Sequence, residues 1–80
     1  MNGRSQQILE EIAEVARLHL GWTGDLQPGL RLVEDLELDS LKGLTLALEL
    51  ENHFRVRLDQ EAGLVTVGDL VAAIERHLSD

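Results

Sequence analysis

Residues 39–54 read DSLKGLTLALELENHF, and their spacing predicts a helix that starts at Ser40 and ends near Phe54. Asp39 is the natural N-cap, because its carboxylate can accept hydrogen bonds from the free amide groups of the first turn. At about 100° per residue, the apolar side chains fall into two groups. The expected core group is Leu46, Ala47, Leu50 and Phe54, and the second group is Leu41, Leu44 and Leu48. A helix buried on one side explains only the first group.

A second helix is predicted on the N-terminal side, over residues 5–20. Its apolar residues recur at intervals of three and four, which is the period of one helical face. They are Ile8, Leu9, Ile12, Val15, Ala16 and Leu20. Ser5 is expected to cap the first amide groups, and Gly21 to end the helix in a left-handed conformation that Trp22 closes with an apolar contact.

A third long helix is predicted from Thr66 to the C-terminus. Thr66 and Asp69 have the spacing of a capping box, in which each side chain bonds the backbone of the other residue. Val67, Leu70, Val71, Ile74 and Leu78 continue at helical spacing. Between the helix that ends near Phe54 and the helix that starts at Thr66, we predict a short helical turn over residues 59–64, capped by Asp59 and interrupted by Gly63.

The segment 21–39 has no sustained period and contains the only proline, Pro28. We expect one long loop, which its apolar side chains hold across the helices. These are Leu26, Leu30, Leu32, Val33, Leu36 and Leu38. The sequence therefore predicts an all-α fold, a small four-helix bundle of three long helices and one short one, with a long loop between the first and second helices and a single domain over residues 1–80.

Composition narrows the possible functions. The 80 residues carry 15 acids and 7 bases, a net charge of -8, which disfavours nucleic acid and anionic membranes. Residues 1–7 are polar and no apolar run is long enough for a membrane span, so we expect a cytoplasmic protein. With no cysteine and only three histidines, disulfides, thiol chemistry and metal sites are not expected.

Enzyme signatures are not found in the sequence. It has no G-x-S-x-G, no glycine-rich phosphate loop with a lysine and no H-x-x-x-H pair. Ser40 differs from the other serines because it follows a long loop, begins a predicted helix and has acids at positions 34, 35, 37 and 39 upstream. Ser5 and Ser79 lie near the termini and are expected to be ordinary surface residues. The three histidines fall on separate helices, so a Ser40 triad is disfavoured and we expect no catalytic residue.

The nine residues 33–41, VEDLELDSL, resemble the phosphopantetheine attachment site of the acyl carrier protein family. The apolar helix ending in Phe54, the short fourth element and the Thr66-Val67 start of the last helix also look like this family. The resemblance covers nearly the whole chain. It implies a four-helix bundle with a long first loop, as the spacing predicts.

The resemblance implies that Ser40 is the acceptor of 4'-phosphopantetheine, transferred from coenzyme A by a separate phosphopantetheinyl transferase. Asp39 would belong to the motif that this enzyme recognises, and Leu41 would contact the arm or the enzyme. A phosphodiester at Ser40 would lie among free amides at the positive end of the helix dipole, which suits an anion. The thiol arrives with the cofactor, so the protein itself needs no cysteine.

Leu44 and Leu48 have two interpretations. They are either core residues of a tightly surrounded helix or a docking patch and the lip of a pocket that shelters the acyl chain. We favour the second, because Leu46, Leu50 and Phe54 already fill the core stripe. Lys42, Glu49 and Glu51 complete the predicted partner surface.

The expected function is therefore that of an acyl carrier, not of an enzyme. It would carry acyl intermediates as thioesters in fatty-acid, polyketide or other specialised biosynthesis, as a monomer that serves acyl-loading, acyl-transferring and synthase enzymes. Two alternatives stay open. One is an aminoacyl or peptidyl carrier, and the other is an unmodified carrier-like subunit that only binds other proteins.

Lys42 generates a first prediction. Many family members carry acids at the start of this helix, where they meet basic patches on synthases, but here that surface contains Lys42, Gly43 and Thr45. We expect general fatty-acid synthase enzymes to dock weakly and dedicated partners to serve this carrier. Lys42→Asp should increase loading by, or docking to, a housekeeping acyltransferase. No gain in either measurement would contradict this interpretation.

Overall fold

Three α-helices make up the regular structure of the described residues. The computed structural model describes residues 3–58 and 63–79, and within those ranges it contains no strand. The helices are α1 (Gly3–Leu20), α2 (Ser40–Phe54) and α3 (Val67–Ser79). The all-helical fold and the bounds predicted for α2 are therefore confirmed. Of the helices in these ranges, none has both the length and the apolar character that a membrane span requires.

The core lies where α1 packs against both α2 and α3. Each helix buries one apolar face, and two residues of the first loop and two after α2 complete the core. The buried side chains are Ile8, Leu9, Ile12, Val15 and Ala16, then Leu26 and Leu36, then Leu46, Leu50, Val56 and Leu58, and finally Val67, Leu70, Val71, Ala73 and Ile74. Most of the predicted core is confirmed, but Leu20, Ala47 and Phe54 are only half-buried, and Leu78 is exposed.

The start of α1 corrects two predictions about Ser5. The helix begins at Gly3, so Ser5 lies within it rather than capping it. Its side chain is buried, and the hydroxyl donates a hydrogen bond to the Glu75 carboxylate of α3. The assignment of Ser5 as a surface residue is therefore wrong, because the packing of α3 against α1 brings a carboxylate over this position.

The end of α1 follows the prediction. Gly21 has a φ of 72°, a left-handed conformation that costs glycine little. The backbone N–H of Trp22 donates to the carbonyl of Ala16 at 3.2 Å, and the indole is partly buried against the core. The chain therefore leaves α1 with a bonded turn and an apolar contact.

Residues 21–39, all of them described, contain turns but no helix or strand. An isolated antiparallel bridge pairs Arg31 with Thr66 and joins this segment to the start of α3. It consists of Leu32 N–H donating to the Val65 carbonyl and Val67 N–H donating to the Leu30 carbonyl, both at 2.9 Å. The segment is thus bonded to a part of the chain more than thirty residues away.

Apolar side chains anchor the same segment. Leu26 and Leu36 are buried, and Leu30, Leu32 and Leu38 pack partly buried against the core. The expectation for Val33 is wrong, since its side chain is 68% exposed. The backbone N–H of Leu32 donates to the Val65 carbonyl and its side chain packs partly buried against the core, whereas Val33, the next residue, is not part of the core.

The short helix predicted over residues 59–64 lies mostly outside the described residues, which resume at Gly63. Gly63 and Leu64 are not helical, and Gly63 has a φ of 76°.

The capping box at α3 is confirmed. Thr66 N–H donates to Asp69 Oδ2 at 3.0 Å, and Asp69 N–H donates to Thr66 Oγ1 at 3.1 Å. Val65 N–H also donates to Asp69 Oδ2, at 3.0 Å. Hydrogen bonds from the backbone N–H groups of Thr66 and Val65 hold the pKa of the Asp69 carboxyl below its usual value.

We predict that Asp69→Asn lowers the unfolding temperature at neutral pH. A carboxyl whose pKa is lower in the folded state stabilises the fold above its unfolded pKa, here 3.8, and this contribution is lost as pH falls through the lower folded value. The difference in unfolding temperature between wild type and Asp69→Asn should therefore be largest near neutral pH and shrink in the acid range below the unfolded pKa. The exposed Glu10→Gln serves as the control. A difference that stays constant with pH would contradict this account.

Candidate functional site

Ser40 is the first residue of α2, and its side chain is exposed. Asp39 before it has extended backbone angles, φ −83° and ψ −174°, and its Oδ1 accepts a hydrogen bond from Lys42 N–H at 2.8 Å. The Asp39 carbonyl accepts from Gly43 N–H, also at 2.8 Å, which is the first bond of the helix. The predicted cap is confirmed. Ser40 therefore lies in the first turn, where the backbone N–H groups have no partner within the helix.

A groove of about 520 Å³ opens beside Ser40. The first loop contributes Leu32, Val33, Leu38 and Asp39 to its walls, α2 contributes Ser40, Gly43, Leu44, Leu46, Ala47 and Leu50, and Leu58, Leu64 and Leu70 complete the lining. Except for Asp39 and Ser40, every lining residue is aliphatic or glycine. The groove thus leads from an exposed hydroxyl to walls that include the fully buried Leu50.

Leu41, Leu44 and Leu48 are 73%, 57% and 49% exposed, respectively. The alternative that Leu44 and Leu48 are core residues is therefore wrong. Leu44 lines the groove as well, whereas Leu41 and Leu48 are not among the lining residues. The three leucines form an exposed apolar strip on α2, and only Leu44 borders the space beside Ser40.

The acids predicted on α2 have partners within the chain. Glu49 Oε1 lies 3.5 Å from Nε2 of His19 on α1. Glu51 Oε2 accepts a hydrogen bond from Leu58 N–H at 2.7 Å and so holds the segment that follows α2. Lys42 is exposed and lines a small cleft that also includes Glu37. Of the three charged residues predicted at the partner surface, Lys42 is thus the most accessible.

Two histidines to which the sequence assigns no role lie at the contact between α1 and α2. His53 Nε2 lies 2.8 Å from Glu11 Oε1, a second pair beside His19 and Glu49. Both pairs are partly exposed, so each adds little to stability on its own. Each histidine lies on a helix that also contains glutamates. The pairing of each histidine with a glutamate of the other helix depends on how α1 and α2 pack together.

Two of the acids that precede Ser40 are bonded to Arg31. The Arg31 guanidinium donates to both Glu34 carboxylate oxygens, at 3.0 and 3.1 Å, and Arg31 N–H donates to Asp35 Oδ2 at 2.7 Å. Glu37 has a φ of 55° and is exposed. Glu34 and Asp35 thus help to order the loop through Arg31. In the described part of the chain, no group of three or more metal-ligating side chains could hold an ion.

Residues 6–74 match the family model described as the phosphopantetheine attachment site. The chain belongs to the acyl carrier protein family. It is 34% identical over 79 residues to the meromycolate extension acyl carrier protein of Mycolicibacterium aurum, a match that covers 95% of this chain and 81% of that protein.

Two further acyl carrier proteins show the same level of similarity. The acyl carrier protein of Beutenbergia cavernae is 35% identical over 77 residues, 92% of this chain and 94% of the relative. The meromycolate extension acyl carrier protein of Mycobacterium tuberculosis is 35% identical over 74 residues, 89% of this chain but only 64% of that protein. This chain thus spans less than two thirds of the length of the tuberculosis relative.

The cofactor of this acyl carrier protein family is 4'-phosphopantetheine, which supplies the thiol that carries an acyl group as a thioester. The described residues fit such a group. An exposed hydroxyl at a helix start lies beside free amides, which favour an anion, and an apolar groove adjoins it. The sequence holds no cysteine, so the chain has no thiol of its own.

The Asp39 cap generates a stability prediction. Asp39→Ala removes the acceptor of Lys42 N–H and should lower the free energy of unfolding by about 1 kcal/mol, whereas Asp39→Asn, an equally good cap, should change it little. Urea unfolding followed by the fluorescence of Trp22, the only tryptophan, measures both. Equal losses in the two variants would show that the capping bond does not stabilise α2.

Proposed function

We propose that Ser40 is the attachment residue and that this acyl carrier protein presents acyl groups, held as thioesters on a 4'-phosphopantetheine arm, to the enzymes that load, extend and transfer them. The observation that supports this most directly is the exposed Ser40 hydroxyl, which lies in the first turn of α2 at the edge of an aliphatic groove. The protein itself catalyses no step, and a separate phosphopantetheinyl transferase modifies it.

The surroundings of Ser40 support an anionic attachment. In the active site of the transferase, the Oγ of Ser40 would lose its proton and attack the pantetheine-bound phosphorus of the coenzyme A pyrophosphate. The P–O bond to the adenosine bisphosphate would break, that bisphosphate would leave, and the product would be a phosphodiester. That anion would lie at the positive end of the α2 dipole, beside backbone N–H groups that donate to no carbonyl of the helix. At an exposed site this interaction contributes about 0.3–1 kcal/mol. This interaction stabilises the modified state but is too weak to immobilise the arm.

The groove supports an apolar cargo. Transfer of an acyl chain from water to aliphatic walls is favourable by about 0.8 kcal/mol for each buried CH₂ group. An aminoacyl or peptidyl cargo fits less well, because its polar groups would be buried without partners among leucines. The relatives named for meromycolate extension also support an acyl cargo, and we propose a role in fatty-acid or related lipid biosynthesis.

The exposed strip of Leu41, Leu44 and Leu48 is the proposed docking surface for partner enzymes, and Leu41, which follows Ser40, would contact the arm or the modifying enzyme. Lys42, which follows Leu41 in the first turn of α2, would select partners by charge. Glu49 and Glu51 border it, already held by His19 and Leu58. Tethering keeps the cargo at a high effective concentration, and a small docking surface lets the carrier leave again.

Family membership also supports the remaining features of the proposal. The chain acts as one carrier domain over residues 1–80, as a monomer in the cytoplasm. The predicted four-helix bundle stays a prediction, because residues 59–62 lie outside the described residues and Gly63 and Leu64 are not helical.

Intact mass spectrometry tests the attachment. After incubation with coenzyme A and a broad-specificity phosphopantetheinyl transferase, the wild-type chain should gain one phosphopantetheine and Ser40→Ala none. Ser79→Ala is the matched control and should gain one, since it retains Ser40. A wild type that stays unmodified would contradict the carrier function. If in addition a partner bound wild type and Ser40→Ala equally, the interaction-subunit alternative would be favoured.

A further inference from the structure

Gly43 lies in the first turns of α2, where no local requirement explains a glycine. It is not among the glycines with positive φ in the described residues, which are Gly21, Gly24 and Gly63. A Cβ added at Gly43 would meet no atom within 4 Å, so no close contact demands its absence. Gly68 shows the contrast, because a Cβ there would lie 3.2 Å from the Pro28 carbonyl oxygen. A helix is less stable with glycine than with alanine at such a position.

The position of Gly43 points to the groove. Ser40 and Ala47, three residues before it and four after it, lie on the same face of α2, and all three line the groove. Because each Cα–Cβ bond tilts toward the helix N-terminus, a side chain at this position would lean toward Ser40. It would occupy the space between the Ser40 hydroxyl and the buried inner wall, which includes Leu50.

We infer that Gly43 is a specificity-determining residue whose missing side chain keeps the groove open next to Ser40, so that long, unbranched or bulky acyl chains can pass inward. The inference rests on the proposed attachment at Ser40. Ala47, the next residue on this face, also has a small side chain and continues this side of the groove toward the interior. A side chain of the size of leucine at position 43 would block part of this path and leave the distal part of a long chain in water.

Thioester protection measures this effect directly. Wild type, Gly43→Ala, Gly43→Leu and the control Asn52→Leu are loaded with acetyl-, dodecanoyl- or hexadecanoyl-phosphopantetheine from the corresponding coenzyme A ester, and loading is verified by intact mass. The rate of thioester cleavage by hydroxylamine is then measured for each loaded form. Asn52 is exposed on α2 and is not among the groove residues, so it receives the same side chain away from the groove.

In wild type and Asn52→Leu, the long-chain thioesters should be cleaved more slowly than the acetyl thioester. Gly43→Leu should raise the long-chain rates toward the acetyl rate, by about tenfold if two CH₂ groups are excluded from the groove, and Gly43→Ala should lie between. Before they are loaded, Gly43→Ala and Gly43→Leu should unfold at the same temperature as wild type or higher. If Gly43→Leu fails to fold, Gly43→Ala decides the question.

The outcomes separate the two proposals. Suppose that both proteins are loaded and that the long-chain thioesters are cleaved in Gly43→Leu at the wild-type rate or more slowly. This result would overturn the role of Gly43 while the attachment stands. Loaded wild type that protects no chain length would also overturn it. A wild type that gains no mass would overturn the attachment and the role of Gly43 together.

Discussion

One hydrogen bond, from Lys42 N–H to the Asp39 carboxylate, determines where α2 begins, and much of the molecule depends on that position. A helix advances about 100° per residue, so the spacing between Ser40 and the later residues decides which of them share a face with it. With the start at Ser40, Leu46 and Leu50 face the core and Leu44 borders the groove. A start one residue later would leave Ser40 outside the first turn, away from the N–H groups that donate to no carbonyl of the helix. The cap therefore serves the fold and the site at once.

The groove shows how a small helical protein can combine a packed core with accessible apolar space. Its inner wall includes Leu46, Leu50 and Leu70, which are buried and shared with the core. The outer wall comes from the first loop and from Leu44, whose side chain is largely exposed. An open groove of this kind needs no cavity within the core, where voids are strongly destabilising. The same leucines can thus stabilise the fold and face a cargo.

Local features of the sequence predicted much of this structure. The bounds of α2, the caps at Asp39 and at Thr66 with Asp69, the left-handed Gly21 and most core positions depend on short-range spacing, which the sequence displays directly. The exposed leucines of α2 could also be inferred, because the core stripe was already full. The resemblance in residues 33–41 indicated the family.

Features that depend on packing between distant segments were not predictable in the same way. Burial of Ser5 depends on Glu75 of α3, and the pairing of His53 with Glu11 depends on how α1 and α2 lie together. The exposure of Val33 follows from a backbone pairing with residues more than thirty positions later. Nor does spacing alone reveal that Glu51 holds the Leu58 backbone. Each case involves a partner that no local pattern identifies.

The bridge between Arg31 and Thr66 makes the groove a product of long-range assembly. The loop that supplies Leu32, Val33 and Leu38 is fastened to the residues that open α3, whereas Ser40 is positioned by a local cap. The position of Ser40 therefore depends on contacts within a few residues, whereas the groove depends on a pairing between segments more than thirty residues apart. The exposed hydroxyl and the apolar space beside it thus rest on separate contacts, one at the start of α2 and the other between the first loop and α3.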